Sequence, residues 1–246
     1  MLTTIHVQNL AVLKDVHLTE LGPLTVLIGP PSSGKSTLLF ALQLARAQLQ
    51  GRLHSLLGPK ESWGDLQSRD TTDPIHIDLT LAAGEVWSMH LDLRTGRAQT
   101  EGTDAAALHT LDALVLQECP EQGLDLRAVA ALPEHLRSQG QALITTCSTW
   151  LADHLTLEEV VTMQQVAGFS HATRPSRSPS LRALVAQGDR PGDLWRQGLL
   201  DAATILPLET YLEDEDDVAE PDGSAGVDRR MTSEAIFTHL RRPVDP

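Results

Sequence analysis

The residues whose types and spacing most clearly point to chemistry lie near the N-terminus, in the run Gly29-Pro30-Pro31-Ser32-Ser33-Gly34-Lys35-Ser36, followed by Thr37. Glycines at the first and sixth positions, then Lys and Ser, form the GxxxxGKS pattern of a phosphate-binding loop. Such a loop turns its backbone N–H groups inward where a helix begins, which makes a fixed and partly positive nest for an anion. Here Lys35 is expected to reach the β- and γ-phosphates of a nucleotide, and the Ser36 hydroxyl to hold Mg²⁺. ATP is the expected ligand. The same residues also read as a Gly/Pro/Ser turn that happens to precede a helix. Lysine is scarce, however: Lys14, Lys35 and Lys60 are the only three, and one of them occupies the loop.

The elements that must position this loop are legible around it. Leu24-Thr25-Val26-Leu27-Ile28 is a continuous apolar run, as suits a central strand buried on both faces. Residues 36–50 favour a helix and Gly51 stops it. Strand, loop and helix therefore follow in the order that a phosphate-binding loop requires. Upstream, residues 3–18 read as further strands. Downstream, residues 52–73 are loop-rich, and Ile75–Leu81 and Val86–Leu93 alternate as a hairpin with one wet face. A short helix is expected over 105–111, a buried strand over 113–116 ending at Gln117 and Glu118, and a helix over 126–139. A second buried strand follows over 142–146, then a helix starting at Trp150, and an edge strand over 160–166. These alternations predict an α/β domain with a mostly parallel core sheet plus an antiparallel β-subdomain.

Composition bounds the function classes. Net charge is −14, so a whole-surface attraction to nucleic acid or anionic lipid is not supported, although the run Glu213–Asp217 contributes much of it. Cys119 and Cys147 lack metal-ligand spacing and suggest no disulfide framework. No apolar run approaches the roughly 20 residues of a membrane helix, so a reducing, cytoplasmic setting is expected. Three parts are expected: a domain over 1–208, an acidic linker over 209–230, and a short tail over 231–246 with a helix near 233–240. Arg174, Arg177 and Arg182 read either as a phosphate-contacting patch or as a solvated surface.

The stretch VQNLAVLKDVHLTELGPLTVLIGPPSSGKSTLL resembles the opening of the SMC/RecF/OLD-type branch of ABC ATPases, with Asn9 at the end of the first strand and Pro31 where that family has Asn. LVLQECPEQGLD (114–125) is similar to its Walker B and D-loop string, ALITTCSTWLADHL (142–155) to its switch segment, and GDLWRQGLL (192–200) to a tail found in small ATPases of this branch. The resemblance implies an ABC-type ATPase head in which Glu118 polarises an attacking water, Gln117 stands at the Mg²⁺-organising position and Cys147 at the switch position beside the γ-phosphate. It also implies an ATP-dependent homodimer or a partner subunit, with DNA as a further partner and no membrane.

Two of these positions depart from the family. Gln117 replaces an Asp, and an amide brings no negative charge to a hard cation. Cys147 replaces a His, and a thiol is a weaker hydrogen-bond donor. Glu118 also reads as an ordinary strand-end carboxylate. For the signature motif, Thr100-Glu101-Gly102-Thr103 competes with a plain turn, and for the Q-loop Gln67 competes with a surface loop. The 81 residues between Lys35 and Gln117 leave no room for a long coiled-coil arm, and residues 52–112 carry no heptads. The resemblance thus implies a minimal head with weak hydrolysis, acting in DNA repair or defence against foreign DNA. A nucleotide-binding regulatory subunit without turnover is the second reading. A transporter ATP subunit is a third, and a small-molecule kinase a fourth.

Overall fold

The computed structural model describes residues 1–57, 60–69 and 71–200. The acidic linker and terminal helix expected beyond residue 208 lie outside the described residues. Ten strands and seven α-helices are seen in the described part, arranged around two five-stranded sheets.

The first sheet is antiparallel, in the order β2-β1-β4-β5-β6, with β1 at Leu2–Leu10, β2 at Leu13–Leu18, β4 at Ile75–Leu81, β5 at Val86–Asp92 and β6 at Arg97–Glu101. Alternation along β4 and β5 puts Ile75, Ile77, Leu79, Trp87, Met89 and Leu91 inside, and leaves polar residues on the other face. The expected hairpin therefore carries a third strand. Only Ala98 of β6 packs against the core, so Arg-Ala-Gln-Thr-Glu shows no apolar alternation to betray it.

The second sheet runs β10-β9-β3-β8-β7, with β3 at Leu24–Ile28, β7 at Leu114–Glu118, β8 at Gln141–Thr145, β9 at Val160–Val166 and β10 at Phe169–Thr173. The pairs β9·β3, β3·β8 and β8·β7 are parallel, and only β10 runs antiparallel to its neighbour. Every residue of β3 and β8 is buried, as strands covered on both faces demand. Residues 160–166 do not form an edge strand. β10 folds back on them through Ala167 and Gly168, both with positive φ, in a two-residue turn whose twist suits a hairpin.

Helix α1, Lys35–Leu49, lies between the sheets. Leu38, Leu39, Ala41, Leu42, Leu44 and Ala45 are buried in one apolar cluster with the inner residues of the antiparallel sheet and with Leu27, Leu143, Val161 and Met163 of the parallel one. The opposite face of the parallel sheet is covered by α4 (Leu126–Ser138), α5 (Thr149–Ala152), α6 (Pro179–Ala186) and α7 (Pro191–Arg196), through Val129, Leu136, Leu151, Leu181 and Leu194. Two shorter helices, α2 (Leu53–Leu57) and α3 (Asp104–Ala113), complete the α1 side. Residues 52–73 thus hold α2 and a 3₁₀ segment at Lys60–Leu66 where loops are expected.

Candidate phosphate-binding site

The loop from Gly29 to Gly34 leaves the C-terminal end of β3 and enters α1. Two positions demand glycine. Gly29 has φ +142°, and a Cβ there would lie 2.1 Å from the Met163 carbonyl oxygen of β9. Gly34 has φ +94°, and its Cβ would lie 2.3 Å from Ser170 Oγ and 2.9 Å from Leu13. Between them the loop turns tightly, with Ser33 N–H donating to Pro30 O at 3.3 Å and Ser32 in the left-handed region at φ 62°. Gln165 Nε2 of β9 donates to Ser32 O at 2.7 Å and holds the loop tip from outside.

Lys35 closes the loop from within. Its ammonium donates to Gly29 O at 2.9 Å, Pro30 O at 2.8 Å and Ser33 Oγ at 3.3 Å, and the residue is only 8% exposed. Burial holds its pKa below the usual lysine value, while the nearby thiols of Cys147 and Cys119 pull the other way. Ser36 is exposed and Thr37 half-buried in the first turn of α1. That turn carries no acidic residue and no side-chain cap, so its N–H groups are left for an anion. Pro30, Pro31 and Ser32 are exposed on the loop, whereas Ser33 is buried beneath it.

The structure brings Gln117, Glu118 and Cys147 to the same edge of the sheet. β8 lies between β3 and β7, with Thr145 opposite both Leu27 and Glu118 and Ile144 opposite both Val26 and Gln117. Three parallel strands therefore end together where the loop begins. Gln117 and Glu118 are exposed there. Past β8, Thr146 N–H donates to Leu27 O at 3.1 Å and Ser148 N–H to Thr146 Oγ at 2.9 Å, which presents the exposed Cys147 between them. Thr146 Oγ donates in turn to Glu121 Oε1 at 2.5 Å, tying the segment after β7 to the segment after β8. Thr146 and Glu121 fall within the segments that resemble the switch and D-loop strings, whereas Gln165 carries no local signal of its contact with the loop.

Other candidates fall elsewhere. Gln67 bridges to Leu10 and donates to Asp73 O at 2.9 Å, beside the antiparallel sheet. Thr100 and Glu101 end β6, and Gly102 turns the chain into α3 at φ +103°, where a Cβ would lie 2.4 Å from the Val86 carbonyl oxygen. The arginine patch is broken up. Arg174 is 6% exposed and donates to the carbonyls of Thr19 and Glu158, each at 2.7 Å, so it serves as an internal clamp. No group of three or more His, Cys, Asp or Glu residues is placed to hold a metal ion among the described residues. No described helix is long and apolar enough to cross a membrane.

No protein-family model and no curated protein matches the sequence. Solved structures do match. The fold superposes on the SMC head domain from Thermotoga maritima with a TM-score of 0.50 at 10% identity, covering 70% of this chain and 98% of that one. It superposes on an SMC head bound to the C-winged helix domain of ScpA with a TM-score of 0.56 at 9% identity, covering 74% and 99%. The fold is that of an ABC-type ATPase head. A RecF recombination mediator with ATP matches less completely, with a TM-score of 0.36 at 18% identity, over 52% of this chain and 34% of RecF.

Proposed function

We propose that this chain is an ATP-binding head of the RecF/SMC/OLD-like branch, with slow ATP hydrolysis. The observation that carries the reading is the Lys35 ammonium enclosed by its own loop at the uncapped start of α1, with Glu118 and Cys147 on the same sheet edge. The donor set fits a nucleotide triphosphate. Lys35 exchanges its carbonyl partners for β- and γ-phosphate oxygens, and the N–H groups of residues 33–37 bind the same phosphates. Ser36 Oγ, with the Gln117 amide oxygen nearby on β7, would hold Mg²⁺, which supplies neutralising charge on the phosphates when bound. Glu118 orients and polarises the water that attacks. Cys147 stands beside the γ-phosphate as a weak donor.

Slow turnover follows from two replacements. Gln117 brings no charge to the metal, and Cys147 brings a poor donor to the developing charge. Removing one preorganised group of this kind costs about 10²–10³ in rate. These same residues favour the second reading, a regulatory or assembly subunit that binds ATP without turning it over. A role in DNA repair or in defence against foreign DNA, with a homodimer or a partner subunit sensing the ATP-bound state, rests on the sequence resemblance.

Titration with a fluorescent ATP analogue in Mg²⁺ tests the reading. Wild type is expected to bind, and Lys35→Ala to lose about 3 kcal/mol or more, roughly a hundredfold in affinity. Absence of binding by wild type at millimolar ATP would sink the proposal. Turnover of several per second that vanishes in Glu118→Gln would exclude the non-hydrolysing reading, and turnover unchanged by that substitution would remove Glu118 from its role.

A further inference from the structure

The two cysteines of the chain, 28 positions apart in sequence, meet beside the phosphate loop. The last registered pair between β7 and β8 is Glu118 with Thr145. Cys119 follows one residue later and Cys147 two. Neighbouring strands lie about 4.8 Å apart, and a disulfide bridges Cα atoms about 4.4–6.8 Å apart. The pairing persists past the strand end, because Cys119 N–H donates to Thr145 O at 2.9 Å. The two thiols lie close enough to act on one another, with Cys119 half-buried and Cys147 exposed. Cys119 also holds φ at 44°, a left-handed conformation uncommon for a residue with a Cβ. Lys35 lies within electrostatic reach of both sulfurs.

We propose that Cys119 and Cys147 form a redox-modifiable pair that closes to a disulfide under a hydroperoxide and thereby lowers nucleotide affinity at the adjoining loop. The crosslink stands on the geometry of β7 and β8, and its effect on affinity rests on the nucleotide reading above. Cys147 reacts first, because it is exposed whereas Cys119 is half-buried. The Cys147 thiolate attacks one peroxide oxygen: an S–O bond forms, the O–O bond breaks, and the leaving hydroxide takes up the proton as water. The Cys119 thiol then attacks the Cys147 sulfur: the S–S bond forms, the S–O bond breaks, and a second water leaves with the Cys119 proton. One hydrogen peroxide is reduced and two thiols are oxidised. The link fixes the segment after β8 against the end of β7, next to the Lys35 ammonium. By linkage, any loss of nucleotide affinity in the disulfide form is matched by protection of the dithiol when nucleotide is bound.

The test uses the full chain, reduced, treated with hydrogen peroxide, then alkylated and analysed by mass. The expected result is a loss of two hydrogens, a linked Cys119–Cys147 peptide, and affinity for the fluorescent ATP analogue weakened about fivefold or more. Dithiothreitol restores it, and saturating ATP slows the crosslink. Cys119→Ser keeps the reduced-state affinity and loses the response to peroxide, and Cys147→Ser likewise yields no linked peptide. Oxidised chain with both thiols alkylatable, or with Cys147 sulfinic acid and no linked peptide, would overturn the pair. A linked chain that binds nucleotide as the reduced chain does would overturn its regulatory effect. If the reduced chain binds no nucleotide, the nucleotide reading and the effect on affinity both fall, while the linked peptide still decides the crosslink.

Discussion

At the scale of single residues, the phosphate loop is shaped by steric necessity more than by attraction. Gly34 sits where a side chain would strike Ser170 and Leu13, and its φ of +94° is one that L residues rarely adopt. Gly34→Ala is therefore expected to destabilise the fold by about 1–3 kcal/mol, from backbone strain and displaced packing together. Because the same residue precedes Lys35, nucleotide affinity should fall as well. Thermal unfolding checks the first expectation, and an unchanged midpoint would show that the loop is less constrained than its geometry implies. Lys35 differs in kind. Three oxygens of its own loop satisfy a buried ammonium, so the charge is held within the loop where the proposed function puts the phosphates.

At the scale of elements, β8 is the strand on which the site depends. It spaces β3 from β7, and it carries Thr145, Thr146 and Cys147 to the loop. Its first residue, Gln141, also joins the two sheets. The Gln141 amide accepts from Leu2 N–H at 2.8 Å and donates to Leu2 O at 2.7 Å and Gly22 O at 3.1 Å. Gln141→Ala would leave buried backbone groups of Leu2 without partners, at a cost of about 1–3 kcal/mol each. We expect a loss of about 2–4 kcal/mol in urea unfolding, and a change below about 0.5 kcal/mol would mean that water replaces the amide. Two elements left little trace in the sequence. β6 sets only Ala98 against the core, and β10 is a short strand whose place comes from a two-residue turn.

At the scale of the whole molecule, the layers run antiparallel sheet, α1, parallel sheet, then α4 to α7. α1 is buried against both sheets and carries the loop at its start into the larger apolar cluster. On the function proposed above, such a head, with no coiled-coil arm between Lys35 and Gln117, would use a second copy or a partner to turn ATP binding into an output. We expect Glu118→Gln to associate in ATP·Mg²⁺ and to dissociate without it, as read by light scattering on a sizing column. A monomer in both conditions would remove the ATP-dependent homodimer and leave a partner subunit as the sensor of the bound state.

By itself the sequence determined the glycine-bounded loop, its strand and helix, the fully buried strand β8 and the antiparallel hairpin, whereas β7, expected to be buried, is a half-exposed edge strand. Each of these follows from local rules: glycine at forced positions, continuous apolar runs, and alternation along a half-covered face. Tertiary structure alone decided what meets the loop. Nothing local says that residues 160–166 lie inside a sheet, since that depends on β10 folding over them. Nothing local says that Arg174 is spent on the carbonyls of Thr19 and Glu158, or that Gln165 holds the loop tip. The convergence of Lys35, Glu118, Cys119 and Cys147 arises because β8 inserts between β3 and β7, and strand order depends on packing between elements distant in sequence.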